Sequence, residues 1–122
     1  KIKFPIQGTG KETRSFVFIE DFIDGLMTLL QKGKHLEIYN IGNDKELAVS
    51  ELAKEVGKYF GKEVEIVPGK LTKGSTPRRC PDISKIKKLG YNPKTSIKEG
   101  LKITTKWYVD NGNKERKDYL KE

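Results

Sequence analysis

Apolar residues recur at helical spacing in four stretches of the chain. This spacing predicts helices over residues 20–32, 49–60, 83–89 and 97–110, each followed by a glycine or an Asn-Gly pair. A glycine just past a periodic stretch is a typical helix stop. We expect the apolar face of the first helix to lie in the core of the domain. That face comprises Phe22, Ile23, Leu26, Met27, Leu29 and Leu30.

Polar residues mark the starts of three of these helices. The acids Glu20 and Asp21 stand where the dipole of the first helix favours negative charge. Asp82 is suited to cap the short third helix, and Thr95 or Ser96 is suited to cap the fourth. These residues agree with the helix starts that the apolar spacing predicts.

Short apolar or alternating runs predict strands between the helices. Phe4–Gln7 and Thr13–Ile19 flank the glycine-containing turn Gly8–Lys11, which predicts a β-hairpin. Further strands are expected over Glu37–Ile41 and Glu63–Val67, the second of which alternates polar and apolar residues as a half-buried strand does. Because these elements are short and interspersed, with no βαβ unit of nucleotide-fold length, the pattern predicts a mixed α/β fold with about four helices.

Length and composition indicate one domain. A chain of 122 residues is sufficient for a modest core, and we expect a single domain over residues 1–112 with a charged tail over residues 113–122. No apolar run approaches the roughly 20 residues of a membrane span, and the start does not resemble a signal peptide, so we expect a cytoplasmic protein. Because the chain begins at Lys1, we expect a processed product or a piece of something longer.

The net charge of +8 is concentrated in one window. Residues 70–88 contain seven basic side chains and one acid, Asp82. Such a patch indicates an anionic partner, either a phosphorylated ligand or nucleic acid, unless it is merely a solvated lysine-rich surface. The single cysteine, Cys80, excludes an internal disulfide, and the single histidine, His35, excludes a histidine-based metal site or an ordinary Ser-His-Asp triad.

Arg14 is the most informative residue because the turn at Gly8 and Gly10 places it at a fixed register on the strand that follows. Its planar guanidinium suits bidentate binding of phosphate oxygens. The turn is not a dinucleotide fingerprint, since the third glycine and the strand-to-helix setting are both missing. An arginine on an exposed strand is usually solvated, so the interpretation of Arg14 depends on the motifs that accompany it.

Five motifs follow one another along the chain: Gly8–Asp21, Tyr39–Asn43, Glu51–Ala53, Arg78–Lys85 and Leu89–Pro93. In this order they resemble the C-terminal portion of the extended short-chain dehydrogenase/reductases, which are NAD-dependent nucleotide-sugar epimerases, dehydratases and decarboxylases. The similarity covers roughly residues 4–109, and both the order and the spacing of the motifs contribute to it. It implies a small C-terminal substrate domain, without the Rossmann half, that binds a nucleotide-diphosphate sugar and belongs to carbohydrate metabolism.

The resemblance also implies roles for three arginines. Arg14 would bind the diphosphate of the nucleotide sugar, and Arg79 would approach the same group from the later loop. Arg78 is a further candidate, because family members differ over which arginine of this loop makes the contact. Two guanidinium groups suit a ligand with about two negative charges, since charge-assisted hydrogen bonds are roughly twice as strong as neutral ones. Asn40 is expected to stabilise its own turn instead.

The family's catalytic and cofactor-binding motifs are missing from this chain. The family uses a Tyr-x-x-x-Lys pair, in which the lysine lowers the pKa of the tyrosine. No such pair occurs at any of the five tyrosines, and the glycine-rich NAD-binding turn is also missing. The resemblance implies NAD for the intact enzyme, an isomerase or a lyase. We expect no catalytic residue, cofactor site or metal site in this chain, which alone would be inactive.

Two other functions remain open. One is a small basic nucleic-acid-binding module, although aromatic interleaving, a helix-turn-helix and a zinc pattern are all missing, so we do not expect nucleic acid as a partner. The other is a stand-alone regulatory sensor of nucleotide sugars. If the Rossmann domain is the missing partner, the face that packs on it should be exposed, which predicts self-association or a loosely ordered loop over residues 70–81. The sequence does not distinguish the base of the nucleotide sugar or the type of reaction.

Overall fold

The computed structural model describes residues 1–118 and has a mixed α/β fold. Over these residues it contains four helices and short strands, so the predicted fold class is confirmed. The elements are β1 (Ile2–Gln7), β2 (Thr13–Ser15), α1 (Ile19–Lys32), β3 (Glu46–Ala48), α2 (Val49–Tyr59), β4 (Val64–Gly69), β5 (Arg78–Arg79), α3 (Ser84–Lys87) and α4 (Ile97–Asp118).

The strands form two small sheets, and the predicted hairpin is wrong. β1 pairs in parallel with β4, from Ile2 opposite Val64 to Gln7 opposite Gly69. β2 is the central strand of the other sheet, in the order β3-β2-β5. It is antiparallel to β3 and parallel to β5. The turn after β1 therefore carries the chain from one sheet to the other instead of folding it back.

The side chain of Glu12 fills this turn and explains why it is not a hairpin turn. Glu12 is only 8% exposed, and its carboxylate accepts hydrogen bonds from the amides of Thr9 at 3.0 Å and Gly10 at 2.8 Å. The Thr9 hydroxyl also donates to it, at 3.1 Å. Gly8 and Gly10 have φ of 93° and 84°, a region that favours glycine. The hydrogen bond from the Thr9 amide is the largest of the effects that lower the pKa of Glu12 to about 2.

The backbone of the same turn caps α2. The amides of Val49 and Ser50 donate to the carbonyls of Glu12 and Gly10, each at 3.0 Å. The first amides of a helix have no partner within the helix, and Ala48, which precedes α2, has no side chain that could accept from them. The turn therefore supplies acceptors that the local sequence lacks.

A small core lies beside α1 and includes three buried residues with three partly buried neighbours: Ile83, Ile86 and Tyr91, with Leu29, Tyr39 and Ile41. The Tyr91 hydroxyl donates to the carbonyl of Gly42 at 2.8 Å. At Gly25 of α1, an added Cβ would lie 2.5 Å from Cγ2 of Ile41 and 3.1 Å from the Tyr91 ring. The glycine allows α1 to approach the core closely.

Asp21 joins the start of α1 to the segment before α4. Its carboxylate is buried and accepts hydrogen bonds from the amides of Lys94 at 3.1 Å and Thr95 at 2.9 Å. Burial alone would raise the pKa of Asp21, but these hydrogen bonds outweigh it and the pKa lies below its ordinary value. The predicted cap of α4 forms at Ser96, whose hydroxyl accepts from the Glu99 amide at 3.3 Å.

The apolar face of α1 was expected in the core, and this prediction is wrong. Only Asp21 and Gly25 of this helix are buried. The exposed fractions of the residues on this face lie between 39% at Phe22 and 72% at Leu30, while Leu29 packs on the core. We call the exposed face the α1 stripe; it comprises Ile19, Phe22, Ile23, Leu26, Met27 and Leu30. Helical spacing identifies an apolar face, but it does not identify what covers that face.

Three predicted boundaries also differ. Residues 37–41 form a loop, because no strand of the described residues lies alongside them; instead Asn40 donates to the carbonyl of Asp82, and Lys85 donates to the carbonyl of Ile38. β2 ends at Ser15, since α1 begins at Ile19. α4 passes Asn111 and continues to Asp118, so it enters the predicted tail, of which residues 119–122 lie outside the described residues. The amide of Asn111 donates back to the Trp107 carbonyl at 3.0 Å, within the helix.

We expect Gly25→Ala to lower the free energy of unfolding. Alanine favours a helix over glycine by about 1 kcal/mol, but overpacking a fitted contact costs about 1–3 kcal/mol. The steric cost should outweigh the gain in helix propensity, because the new methyl would lie 2.5 Å from the Ile41 side chain. We expect a net loss of about 1 kcal/mol in the free energy of unfolding. Urea unfolding followed by circular dichroism measures the difference.

Gly112→Ala in α4 is the matched control, since an added Cβ there would meet no atom within 4 Å. It should raise stability by up to about 1 kcal/mol. An increase for Gly25→Ala as large as that for Gly112→Ala would contradict the packing of α1.

Glu12→Gln should have an effect on stability that depends on pH. The folded-state pKa of Glu12 is about 2 against an ordinary value of 4.5, so the folded state binds fewer protons in this range. The carboxylate therefore stabilises the fold above about pH 4.5, and this contribution is lost as the pH falls towards 2. The difference in unfolding free energy between wild type and variant should shrink over that interval.

Glu65→Gln, at an exposed position of β4, is the control and should change stability little. The two pKa values limit the test to the range from about pH 5 to about pH 2. If the difference in unfolding free energy between wild type and Glu12→Gln stays constant over this range, the charge of Glu12 does not contribute to stability.

Candidate functional site

Arg14 and Arg79 lie side by side on neighbouring parallel strands. The register pairs Thr13 of β2 with Arg78 of β5, and Arg14 with Arg79. Successive side chains of a strand alternate between the two faces of a sheet. Arg14 and Arg79 therefore share one face, while Thr13 and Arg78 share the other. The structure brings together two of the three arginines that the sequence singled out and places the third on the opposite face.

Arg78 binds a carboxylate on that opposite face. Its Nε lies 2.9 Å and 3.0 Å from the two carboxylate oxygens of Glu46 in β3, and the Thr13 hydroxyl donates to the same carboxylate at 2.8 Å. The hydroxyl and then the guanidinium lower the pKa of Glu46, and Glu46 raises the pKa of Arg78. Exposed ion pairs add little stability, so the main consequence is geometric: Glu46 links all three strands of this sheet.

Arg14 and Arg79 make only neutral contacts within the part of the chain that the structure describes. Nη1 of Arg14 donates to the Thr13 carbonyl at 2.7 Å, and Nε of Arg79 donates to the Thr76 hydroxyl at 3.0 Å. Among the described residues, the ion pairs involve neither guanidinium. Arg14 is half-buried and Arg79 is exposed. Both guanidinium groups therefore have N–H groups that could donate to an anion.

Two backbone contacts hold the arginines at this position. The amide of Thr13 donates to the carbonyl of Pro77 at 2.9 Å, which fixes the start of β5 beside β2. Directly before Thr13 lies Glu12, whose side chain fills the turn and whose carbonyl accepts from α2. The arginine pair is thus built on a turn, a helix start and a loop.

The glycine-containing turn does not itself offer a phosphate site. The amides of Thr9 and Gly10, which could otherwise face an anion, already donate to the Glu12 carboxylate. A second negative group at the same place would be repelled. Sequence reasoning missed Glu12 and Glu46, although an acid two residues past a glycine turn is a plausible acceptor for the amides of that turn.

The basic window is partly neutralised. Three of its cations are paired with acids of the loop before β3 or of β3 itself: Arg78 with Glu46, Lys85 with Glu37 and Lys87 with Asp44. Lys85 also lies over the ring of Tyr39, 4.7 Å from its centroid. Residues 70–88 are therefore not the continuous row of free cations that phosphate-backbone binding uses.

Other candidate residues have structural contacts. Asn40 donates to the carbonyl of Asp82 at 3.1 Å, so it contacts a distant segment and not its own turn, which it was expected to stabilise. Cys80 is half-buried, with its sulfur 3.5 Å from the carbonyl oxygen of Asp44. Within the described residues, no three His, Cys, Asp or Glu side chains are arranged to hold a metal ion. None of the described helices is both long and apolar enough to span a membrane.

Comparison with known proteins identifies the family. Residues 1–104 match the family model described as GDP-mannose 4,6 dehydratase. The probable GDP-L-fucose synthase 1 of Oryza sativa subsp. japonica is 37% identical over 106 residues, which are 87% of this chain and 32% of that protein.

Solved structures agree with the sequence match. The UDP-glucose 4-epimerase of Thermotoga maritima, solved with UDP-glucose, superposes with a TM-score of 0.82 and 30% identity over 89% of this chain and 35% of that chain. The UDP-glucuronic acid 4-epimerase of Bacillus cereus was solved with UDP-glucuronic acid and NAD. It superposes with a TM-score of 0.72 and 31% identity over 80% of this chain and 32% of that chain.

This chain spans about a third of the length of these three relatives. The family model nevertheless matches most of it, and the motif order that suggested the resemblance is part of the matched region. The chain belongs to the extended short-chain dehydrogenase/reductases, the family of NAD-dependent nucleotide-sugar epimerases and dehydratases.

Proposed function

We propose that this chain is the C-terminal, substrate-binding portion of an NAD-dependent nucleotide-sugar epimerase or dehydratase. In this proposal Arg14 and Arg79 bind the diphosphate of the nucleotide sugar. The observation that carries it is their register on adjacent strands, on a face where neither guanidinium pairs with a carboxylate of the described residues. A complex of a similar chain with UDP-glucose supports the substrate class.

The electrostatics of the pair favour an anionic ligand. Adjacent strands lie about 4.8 Å apart, so two guanidinium groups on one face are close enough to repel each other. A diphosphate between them would replace this repulsion with charge-assisted hydrogen bonds, and each planar guanidinium could donate to two oxygens. Arg78 has its Nε on Glu46 across the sheet, which supports a role in holding β5 in place and not in contacting the diphosphate.

Binding the diphosphate would serve chemistry that other residues perform. The diphosphate is remote from the reacting carbons of the sugar, so holding it orients the sugar without taking part in bond changes. The Tyr-x-x-x-Lys pair and the glycine-rich NAD turn are both missing from this sequence. We assign NAD and the catalytic residues to a separate Rossmann part of the intact enzyme; the base, the sugar, the reaction and a cytoplasmic location are left as predictions.

The surface that would contact the Rossmann part is the α1 stripe together with the middle of α4. Fully burying one large apolar side chain is worth about 1.5–3 kcal/mol. An exposed helix face with six such residues is typical of a surface that another domain covers. A groove of about 530 Å³ continues this surface from the start of α1 to Ile103, Trp107 and Tyr108. The other two thirds of the relatives' length would be the source of the covering domain.

Arg14→Ala and Arg79→Ala should each weaken binding of the nucleotide sugar to the full-length protein by about 10- to 100-fold. The estimate follows from the loss of charged hydrogen bonds worth about 1.5–3 kcal/mol. Arg14→Lys should recover only part of the affinity, because an ammonium group cannot reproduce the planar fork. Isothermal titration with UDP-, dTDP- and GDP-sugars measures the effect and identifies the base.

Lys73→Ala, at an exposed position of the same basic window, is the control and should leave the affinity unchanged. An equal loss of affinity for Lys73→Ala would indicate general attraction by positive charge. Unchanged affinity for Arg14→Ala would refute the assignment of the site.

The 122-residue chain should self-associate when it is produced without a covering domain, and Met27→Lys or Leu30→Lys in the α1 stripe should reduce this. A lysine on the exposed apolar face makes its burial costly. Sedimentation velocity at several concentrations measures the association. Gln31→Lys, exposed on the same helix but outside the stripe, is the control and should not change it. A monomer at all concentrations for the wild-type chain would contradict the proposed interface.

A further inference from the structure

We propose that Glu12 is a positioning residue of the diphosphate site, which sets the placement of Arg14 against Arg79 through the turn that its carboxylate fills. The inference rests on the proposed function of the two arginines. Glu12 lies two residues before Arg14, is buried, and accepts hydrogen bonds from the turn on one side. Its backbone belongs to the segment that enters β2 on the other side.

The contacts form a continuous chain from Glu12 to the arginine pair. Its carboxylate fixes the amides of Thr9 and Gly10, and its carbonyl accepts from α2 at Val49. The amide of Thr13, the residue after Glu12, donates to the carbonyl of Pro77, immediately before β5. The following residue is Arg14, whose register partner is Arg79. A displacement of the turn would therefore move the start of β2 relative to β5.

The turn leaves little room for another arrangement. A Cβ on Gly8 would lie 2.6 Å from Oε1 of Glu12, and a Cβ on Gly10 would lie 2.7 Å from Cδ1 of Ile6. Interiors that are packed this closely respond to a lost contact by shifting neighbouring groups. The site of the carboxylate is thus shaped around it, and the geometry of the turn depends on the group that occupies it.

Both oxygens of the carboxylate are needed. Oε1 accepts from the amide and the hydroxyl of Thr9, whereas Oε2 accepts from the amide of Gly10. A glutamine has one acceptor oxygen, and its NH₂ group would face one of these N–H donors. Glu12→Gln preserves the shape of the side chain and removes one of the two amide contacts, so it tests the hydrogen bonding of the turn without creating a cavity.

Glu12 acts through Arg14 and not through the ligand. Its side chain is almost fully buried, and its oxygens are occupied by the turn. A carboxylate in direct contact with a diphosphate would repel it. The effect of Glu12 on binding should consequently disappear when Arg14 is already missing, whereas a general loss of stability would act in either background.

A double-mutant cycle on the full-length protein tests this inference. The affinity for UDP, dTDP and GDP is measured by isothermal titration for wild type, Glu12→Gln, Arg14→Ala and the double variant. For the diphosphate that binds wild type, Glu12→Gln should weaken binding by about 10-fold alone and by less than about 2-fold in the Arg14→Ala background. Glu65→Gln, the exposed control on β4, should leave the affinity unchanged in both backgrounds.

Three outcomes overturn the inference. One is an equal effect of Glu12→Gln in both backgrounds, which indicates a purely structural role. Another is an unchanged affinity for Glu12→Gln when Arg14→Ala alone weakens binding. An unchanged affinity for Arg14→Ala would instead refute the proposed function, and with it the role of Glu12.

Thr9→Val replaces Glu12→Gln in the same cycle if that variant does not fold. It removes the hydroxyl that donates to Glu12 at 3.1 Å and accepts from the amide of Lys11 at 3.2 Å, and it leaves the two amide contacts of the carboxylate in place. We expect a smaller loss of affinity, of about 2- to 3-fold, that is also absent in the Arg14→Ala background. A loss that persists there would overturn the inference in this form of the experiment as well.

Discussion

The burial of one carboxylate organises the part of the chain that carries the candidate site. Burying the charge of Glu12 is unfavourable unless hydrogen bonds replace its hydration, and two amides and a hydroxyl of the preceding turn do so. The folded turn then sends β1 and β2 into different sheets, and its carbonyls cap α2. The positions of both sheets and of one helix therefore depend on this interaction.

The alternation of side chains along β2 and β5 places the arginines on opposite faces of the sheet, which differ in their charged neighbours. On one face of the β3-β2-β5 sheet, Glu46 pairs with Arg78 and accepts a hydrogen bond from the Thr13 hydroxyl. On the other face Arg14 and Arg79 are neighbours, and no carboxylate of the described residues pairs with them. Two cations side by side are unfavourable by themselves, which is the reason why the second face suits an anion and the first does not.

The sequence predicted features that depend on local spacing better than features that depend on pairing. The periodicity of residues 20–32 and 49–60 located α1 and α2, because a helix forms its hydrogen bonds within one segment. The predicted hairpin and the strand over 37–41 failed, since strand partners come from distant parts of the chain. Family resemblance selected Arg14, Arg79 and Arg78 together; only the register of β5 separates Arg78 from the other two.

The central claim is that Arg14 and Arg79 together bind the diphosphate of a nucleotide sugar. The most direct test is a crystal structure of the full-length protein with a nucleotide sugar bound. We predict guanidinium nitrogens of both residues at about 2.7–3.2 Å from diphosphate oxygens, with Arg78 still on Glu46. A diphosphate bound elsewhere, or held by Arg78 while Arg14 and Arg79 remain in solvent, would contradict the account.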